Sequence, residues 1–249
     1  MPIAVIAALI ALIPNGARAQ APAKAQADLQ LTLDEVVQRL VLRNAERAKA
    51  LASYHGRRIY VLDYTGFPMA LHGELTVDMN YSAPATKEFK VVSETGNKWI
   101  VDRILKRLIE TEREALDAGN RDSVALNPRN YDFKMLDHEC SNDTCSYILG
   151  VEPKVPNKFL YRGRIWVDAT DFAVSRVEAE PAQNPSFWIR KTVIHHSYEK
   201  VGDFWLPAEN ESVSSLRLDG RATLTIKYEN YEINPVHAVK DANPAPAGH

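Results

Sequence analysis

Along most of the chain, apolar and polar residues alternate one by one. In Glu74-Leu75-Thr76-Val77-Asp78-Met79-Asn80-Tyr81 every second residue is apolar, and Leu224, Ile226 and Tyr228 interleave in the same way with Thr223, Thr225, Lys227 and Glu229. A period of two is that of a β-strand with one buried and one wet face. Strands of a parallel sheet covered on both faces would be apolar nearly throughout, so the pattern predicts antiparallel pairing. Further strands are expected over Arg57–Tyr64, Lys87–Ser93, Tyr131–Leu136, Ser146–Glu152, Phe159–Asp168, Ala173–Ala179, Ser186–Tyr198 and Phe204–Leu216. Turn signals such as Ala169-Thr170-Asp171, Gly202-Asp203 and Asp219-Gly220 divide them, giving about ten strands in a meander.

Two segments have a helical period instead. Thr32 with Glu35 three residues on is a capping box, and Leu33, Val36, Val37, Leu40 and Val41 then recur at helical spacing, predicting a helix from about Leu33 to Leu51. From Trp99 a second helix sets Val101, Ile104, Leu105, Leu108 and Ile109 on one side. Arg103, Lys106, Arg107, Glu110 and Glu112 fall on the other, and the helix ends before Gly119-Asn120.

A twisted sheet of this many strands curls. The expected fold is mainly β (α+β): a single curved antiparallel sheet forming an open, unclosed β-barrel, with helices covering its concave face. Such a shape has an apolar lining suited to a long apolar ligand. Leu75, Val77, Met79, Leu224, Ile226 and Tyr228 would supply it from the strands, and Leu105, Leu108 and Ile109 from the second helix. The helices could equally complete a dry core, and periodicity does not separate the two. For Trp99, Trp166, Trp188, Trp205, Phe187 and Tyr161, core packing is preferred over pocket lining.

The two ends of the chain differ from its body. Ile3 to Ile13 is an apolar run, followed by Pro14-Asn15-Gly16 and Ala17-Arg18-Ala19. It is shorter than the roughly 20 residues of a membrane span and reads as a secretory signal peptide cut after Ala19, although no basic residue precedes it. Residues 20–30 read as a flexible lead-in, 31–234 as one domain and 235–249 as a disordered tail. Gln20 offers no thiol for lipidation, so the expected location is periplasmic and soluble.

The 249 residues carry 30 Lys plus Arg against 32 Asp plus Glu, a net charge of −2 that gives no attraction for nucleic acid. An exported chain meets an oxidising compartment, so Cys140 and Cys145 in Cys-Ser-Asn-Asp-Thr-Cys are expected to form a disulfide at a hairpin end. That spacing, even with His138 nearby, matches zinc and redox patterns poorly. The motifs G-x-S-x-G, H-E-x-x-H, G-x-G-x-x-G and the P-loop are absent. His195 and His196 adjoin on a strand and so point to opposite faces, whereas Glu209 and Glu211 share one. Both pairs read as ordinary strand residues. No catalysis, cofactor or metal is expected, and the protein reads as a monomer.

Tyr161-Arg-Gly-Arg-Ile-Trp-Val-Asp168, then Phe172-Ala-Val-Ser-Arg-Val-Glu178, then Tyr198-Glu-Lys-Val-Gly-Asp-Phe-Trp-Leu-Pro207 resembles the second half of LolA-like proteins. These are periplasmic outer-membrane lipoprotein-sorting proteins related in fold to LolB and to the RseB/MucB sensor domain. The resemblance spans about residues 130–232 and rests on Gly163, Ile165, Trp166, Val167, Asp168, Arg176, Gly202, Trp205, Leu206 and Pro207. It implies an unclosed barrel lidded by helices that carries acyl chains of lipids or lipoproteins, with envelope membrane proteins as further partners. The alternative is a non-catalytic interaction or sensor module in envelope assembly or stress signalling. The chain departs from the transport protein itself in its length, its Cys pair and the lack of text locating a lid-locking arginine.

Overall fold

The computed structural model describes residues 31–236 apart from 85, 117, 142, 143, 185 and 218. The expected leader and lead-in, and the tail beyond Val236, lie outside the described residues. Helix α1 (Leu33–Ala50) opens on the expected capping box, Thr32 accepting from the Glu35 backbone while its own N–H donates to the Glu35 carboxylate at 2.8 Å. Three strands follow: β1 (Leu51–Thr65), β2 (Leu71–Ser82) and β3 (Thr86–Gly96).

Helix α2 then runs through Lys98–Ile100, a π-helical stretch at Val101–Leu105, and Lys106–Leu116. The sequence gives no sign of the π-helical stretch. Gly119 does not end the helical region either, since a short helix α3 (Ala118–Val124) follows. The chain continues through β4 (Tyr131–Ser141), β5 (Thr144–Pro153), β6 (Tyr161–Asp168), β7 (Val174–Pro181), β8 (Ile189–Val201), β9 (Phe204–Leu216) and β10 (Arg221–Pro235).

All ten strands form one antiparallel sheet in the order β3-β2-β1-β10-β9-β8-β7-β6-β5-β4, which leaves β3 and β4 as free edges. Neighbours in the sheet are joined by short connections, except that β1 pairs with β10 at the opposite end of the chain. Because β3 and β4 are consecutive in sequence, α2 and α3 must carry the chain from one edge of the sheet to the other. Helix α1 covers one half of the concave face: Val36, Val37 and Leu40 pack on Tyr147, Leu149, Ile165, Val167 and Val177. The other half lies under α2.

The motif residues hold turns and layers together. On β6, Ile165 and Val167 point into the core at 0% exposure, while Trp166 on the other face is covered by the Arg176 guanidinium 3.9 Å from its ring centre and donates to Glu139. Asp168 accepts from the backbone of Thr170 and Asp171, closing the β6–β7 turn. Trp205 donates to Asp171 at 2.8 Å, and the Pro207 carbonyl accepts from Tyr231. The β8–β9 turn needs Gly202, at φ +60°. Cys140 and Cys145 form a disulfide across the β4–β5 hairpin end.

Candidate functional site

On β1 the residues Tyr54, Gly56, Arg58, Tyr60 and Leu62 are buried in strict alternation and share the concave face. Their partners on β2 are Tyr81, Met79, Val77, Leu75 and Gly73. On β10, Leu224, Ile226 and Tyr228 lie opposite Leu62, Tyr60 and Arg58. Helix α2 lowers Ile100, Val101, Leu105 and Ile109 onto this floor, with Ile104 and Leu108 at its margin. Of the residues expected from the sequence to line a ligand site, Leu75, Val77, Leu105, Leu108, Ile109, Leu224 and Ile226 therefore meet in one cluster. Met79 belongs to the adjoining cluster with Leu51, Tyr54, Phe204 and Leu206. Tyr228 lies with its ring 4.9 Å from the Arg58 guanidinium. Leu75, Val77, Met79 and Leu105 have 0% exposure, so in this form the floor is covered by its own helix.

A cation sits in the middle of this apolar layer. The Arg58 side chain is only 4% exposed and meets the Glu112 carboxylate of α2 at 2.5 Å, and Lys87 of β3 meets the same carboxylate at 2.5 Å. Phe89 and Tyr228 lie beside the guanidinium. Burial works to raise the Glu112 pKa, but Lys87 and Arg58 outweigh it and hold the carboxyl down to about 2. Burial pulls Arg58 downward and Glu112 more than offsets it, while the Lys87 ammonium is lowered by burial. Glu112, placed by the sequence reading on the polar side of its helix, in fact reaches inward. It lies seven positions after Leu105 and so shares its face. That spacing, and the parity of Arg58 with Tyr60 and Leu62, are the signals that would have found the pair.

The concave face is not apolar throughout. On β8 and β9 its inward row reads Thr192, Ile194 and His196 against Ser214, Ser212 and Asn210. Thr192 and Ser214 share a hydrogen bond of 2.8 Å, and Ser212 donates to Asn210. This polar seam separates the layer under α1 from the layer under α2. The two histidines face opposite ways, as expected: His195 is exposed, whereas His196 stacks on Tyr198 with ring centres 4.4 Å apart. Among the described residues, Arg58 Nε and His196 Nε2 are buried without a hydrogen-bond partner. Burial, reinforced by Arg58, lowers the His196 pKa to about 4, so the ring is neutral at pH 7. His196 should titrate near pH 4 in an NMR pH series; a midpoint near 6.5 would show the ring solvated. Because its folded pKa lies below the unfolded one, its contribution to stability is full above pH 6.5 and declines as pH falls toward 4.

Other expectations are relocated. Glu209 and Glu211 border a shallow pocket of about 210 Å³ beside Arg176 and His195. No group of three or more His, Cys, Asp or Glu able to hold a metal occurs among the described residues. Trp99, Trp188 and Phe187 are not core residues but 61%, 56% and 71% exposed. Phe187 and Trp188 lie in a turn, where no period of burial applies, and Trp99 lies in the first turn of α2, on the side away from buried Ile100. A groove of about 470 Å³ opens between α1 and edge strand β4, lined by Val37, Val41, Leu42, Tyr131 and Phe133.

No family model matches the chain, and no curated protein matches its sequence. It is similar to several solved structures. One is a DUF1329 family protein from Desulfovibrio piger, at 11% identity over 81% of this chain and 93% of that one, with a TM-score of 0.43. A LolA superfamily protein from Nitrosomonas europaea matches at 10% identity over 83% and 96%, with a TM-score of 0.37. The Pseudomonas aeruginosa MucA/MucB complex matches at 9% identity over 80% and 94%, with a TM-score of 0.25.

Proposed function

We propose that the protein binds an acyl chain of a lipid or lipoprotein between α2 and the concave sheet, as a periplasmic carrier without covalent chemistry. The observation that carries this reading is the cover itself: an apolar floor under a helix fixed near its C-terminal end by the Arg58–Glu112–Lys87 group, in which Arg58 is buried. A buried ion group contributes little net stability compared with apolar residues of the same volume, whereas it fixes position and can be broken as a unit. That suits a cover that lifts better than a core that never opens. The π-helical stretch at Val101–Leu105 places a helix irregularity, of the kind found at functional sites, over the floor. Once α2 is displaced, Arg58 Nε and His196 Nε2 would serve as partners for an ester or carboxylate at the head of the chain.

Purified protein should carry lipid visible in native mass spectrometry and take up a fluorescent fatty acid. Filling the margin of the floor with Leu108→Trp should reduce uptake about tenfold, since each lost apolar contact is worth ~1 kcal/mol or more. Absence of bound lipid and of uptake in the unaltered protein would overturn the carrier reading. Uptake unchanged in L108W would overturn its placement under α2.

A further inference from the structure

In the meander, the turns fall alternately on two rims of the sheet, and the two rims differ chemically. One rim holds the turn between β1 and β2, the entry to α2, and the turns β5–β6, β7–β8 and β9–β10. Phe67 (84% exposed), Met69 (61%), Trp99 (61%), Val155 (75%), Phe187 (71%) and Trp188 (56%) all lie there. The other large apolar side chains that are exposed, such as Leu42 and Val236, are each less so. Lys98, Arg129, Lys154, Lys158 and Arg217 stand in or beside these connections, as do Asp132, Glu152, Glu180 and Asp219; Lys154 pairs with Asp132 and Lys158 with Glu114. The opposite rim turns on Ala83-Pro84, Asp171 and Gly202-Asp203, with Lys200 beside the last of these and paired to Asp171 at 2.6 Å, and it shows no comparable group of exposed apolar tips among the described residues.

The apolar tips are tied into one structure. Arg217 donates to the carbonyls of both Trp188 and Phe187 and lies over the Phe187 ring at 4.8 Å. Tyr64 donates to the Phe67 carbonyl, and a Cβ on Gly66 would lie 2.8 Å from the Gly220 Cα, so the β1–β2 and β9–β10 turns touch. Gln183 donates to the Pro156 carbonyl and joins the β7–β8 and β5–β6 turns. Among the described residues, Lys98, Arg129 and Arg217 form no ion pair.

We infer that this rim docks on an anionic lipid surface, its aromatic and apolar tips entering the headgroup region and its Lys and Arg side chains meeting lipid phosphates. Aromatic rings flanked by basic groups are what a membrane interface selects. These side chains, 56–84% exposed on neighbouring turn tips, project outward, and a fluid surface accommodates each of them. A protein receptor is the competing occupant. Docking does not depend on what α2 covers.

Tryptophan fluorescence of the full chain tests this, because residues 1–30 contain no Trp and add no signal of their own. With vesicles of phosphatidylcholine and phosphatidylglycerol, emission from Trp99 and Trp188 should shift to the blue and be quenched by brominated acyl chains. Phe67→Ser combined with Met69→Ser keeps every Trp and should weaken partitioning about tenfold. Lys98→Glu with Arg217→Glu should weaken it at least fivefold on anionic vesicles and hardly at all on pure phosphatidylcholine. No blue shift or quenching in the unaltered protein, or equal partitioning of all variants, would overturn the inference and leave the rim to a protein receptor.

Discussion

Replacing Glu112 by alanine is expected to destabilise the protein by about 3–5 kcal/mol, the cost of leaving a buried charge without its partner. Arg58, with a side chain 4% exposed, and Lys87, at 16%, would both face an apolar layer with no counterion. Urea denaturation of the two proteins measures the loss. Hydrogen exchange locates it, and should show α2 losing protection before the strands under α1, because the Arg58–Glu112 pair joins α2 to the sheet. Arg58→Leu combined with Glu112→Leu and Lys87→Met should restore most of the stability, since apolar replacement of the whole group is close to neutral. A Glu112→Ala loss below about 1 kcal/mol would mean that the carboxylate is not holding the two cations. The same pair predicts acid sensitivity. Glu112 has its folded pKa lowered from 4.5 to about 2, so its contribution is full above pH 4.5 and is lost as pH falls through about 2. The His196 contribution declines earlier, between pH 6.5 and about 4.

Gly163→Ala is expected to cost more than about 3 kcal/mol, combining backbone strain with overpacking. Gly163 has φ +152°, and a Cβ there would lie 2.3 Å from the Glu178 carbonyl oxygen and 2.7 Å from the Ala179 Cα. Those atoms belong to the adjacent strand backbone, which cannot retreat without breaking the β6–β7 ladder that pairs Gly163 with Ala179. Gly202→Ala is the control: its φ is also positive, at +60°, but nothing lies within 4 Å of the added atom. It should cost only about 1–2 kcal/mol. Thermal unfolding of both variants checks the contrast, and equal losses would show that φ rather than contact decides.

The period-two pattern located every strand because each has one face against a helix or the core, and burial then imprints itself on alternate residues. It located Phe204–Leu216 to the residue and truncated β1, whose first six residues run Leu51-Ala-Ser-Tyr-His-Gly and alternate too weakly to read. The inward orientation of Leu75, Val77, Met79, Leu224 and Ile226 was legible for the same reason. Arg58 and Glu112 were not, because a charged side chain is assigned to water by its type before its parity is considered. The polar seam on β8 and β9 was missed through the opposite error. Asn210, Ser212 and Ser214 alternate with Glu209, Glu211 and Val213, so polarity occupies the inward row and hydropathy loses its phase. The exposed tips Phe67 and Trp188 were beyond any period, since turns have no repeating face, and Trp99 sits in the first turn of α2, before its apolar face is established.

The connection between the edge strands gives the sheet a mechanical character. Both ends of the segment from Asn97 to Asn130 are fixed at one rim, at the outer strands β3 and β4. It behaves as a bowstring across an arc of ten strands, and its length helps set how tightly that arc is bent. If α2 lifts as proposed, the string slackens or is redirected, and opening at the centre should be felt as flattening at the edges, as far away as the groove between α1 and β4. Curvature, and not only the helix, would then belong to the proposed opening.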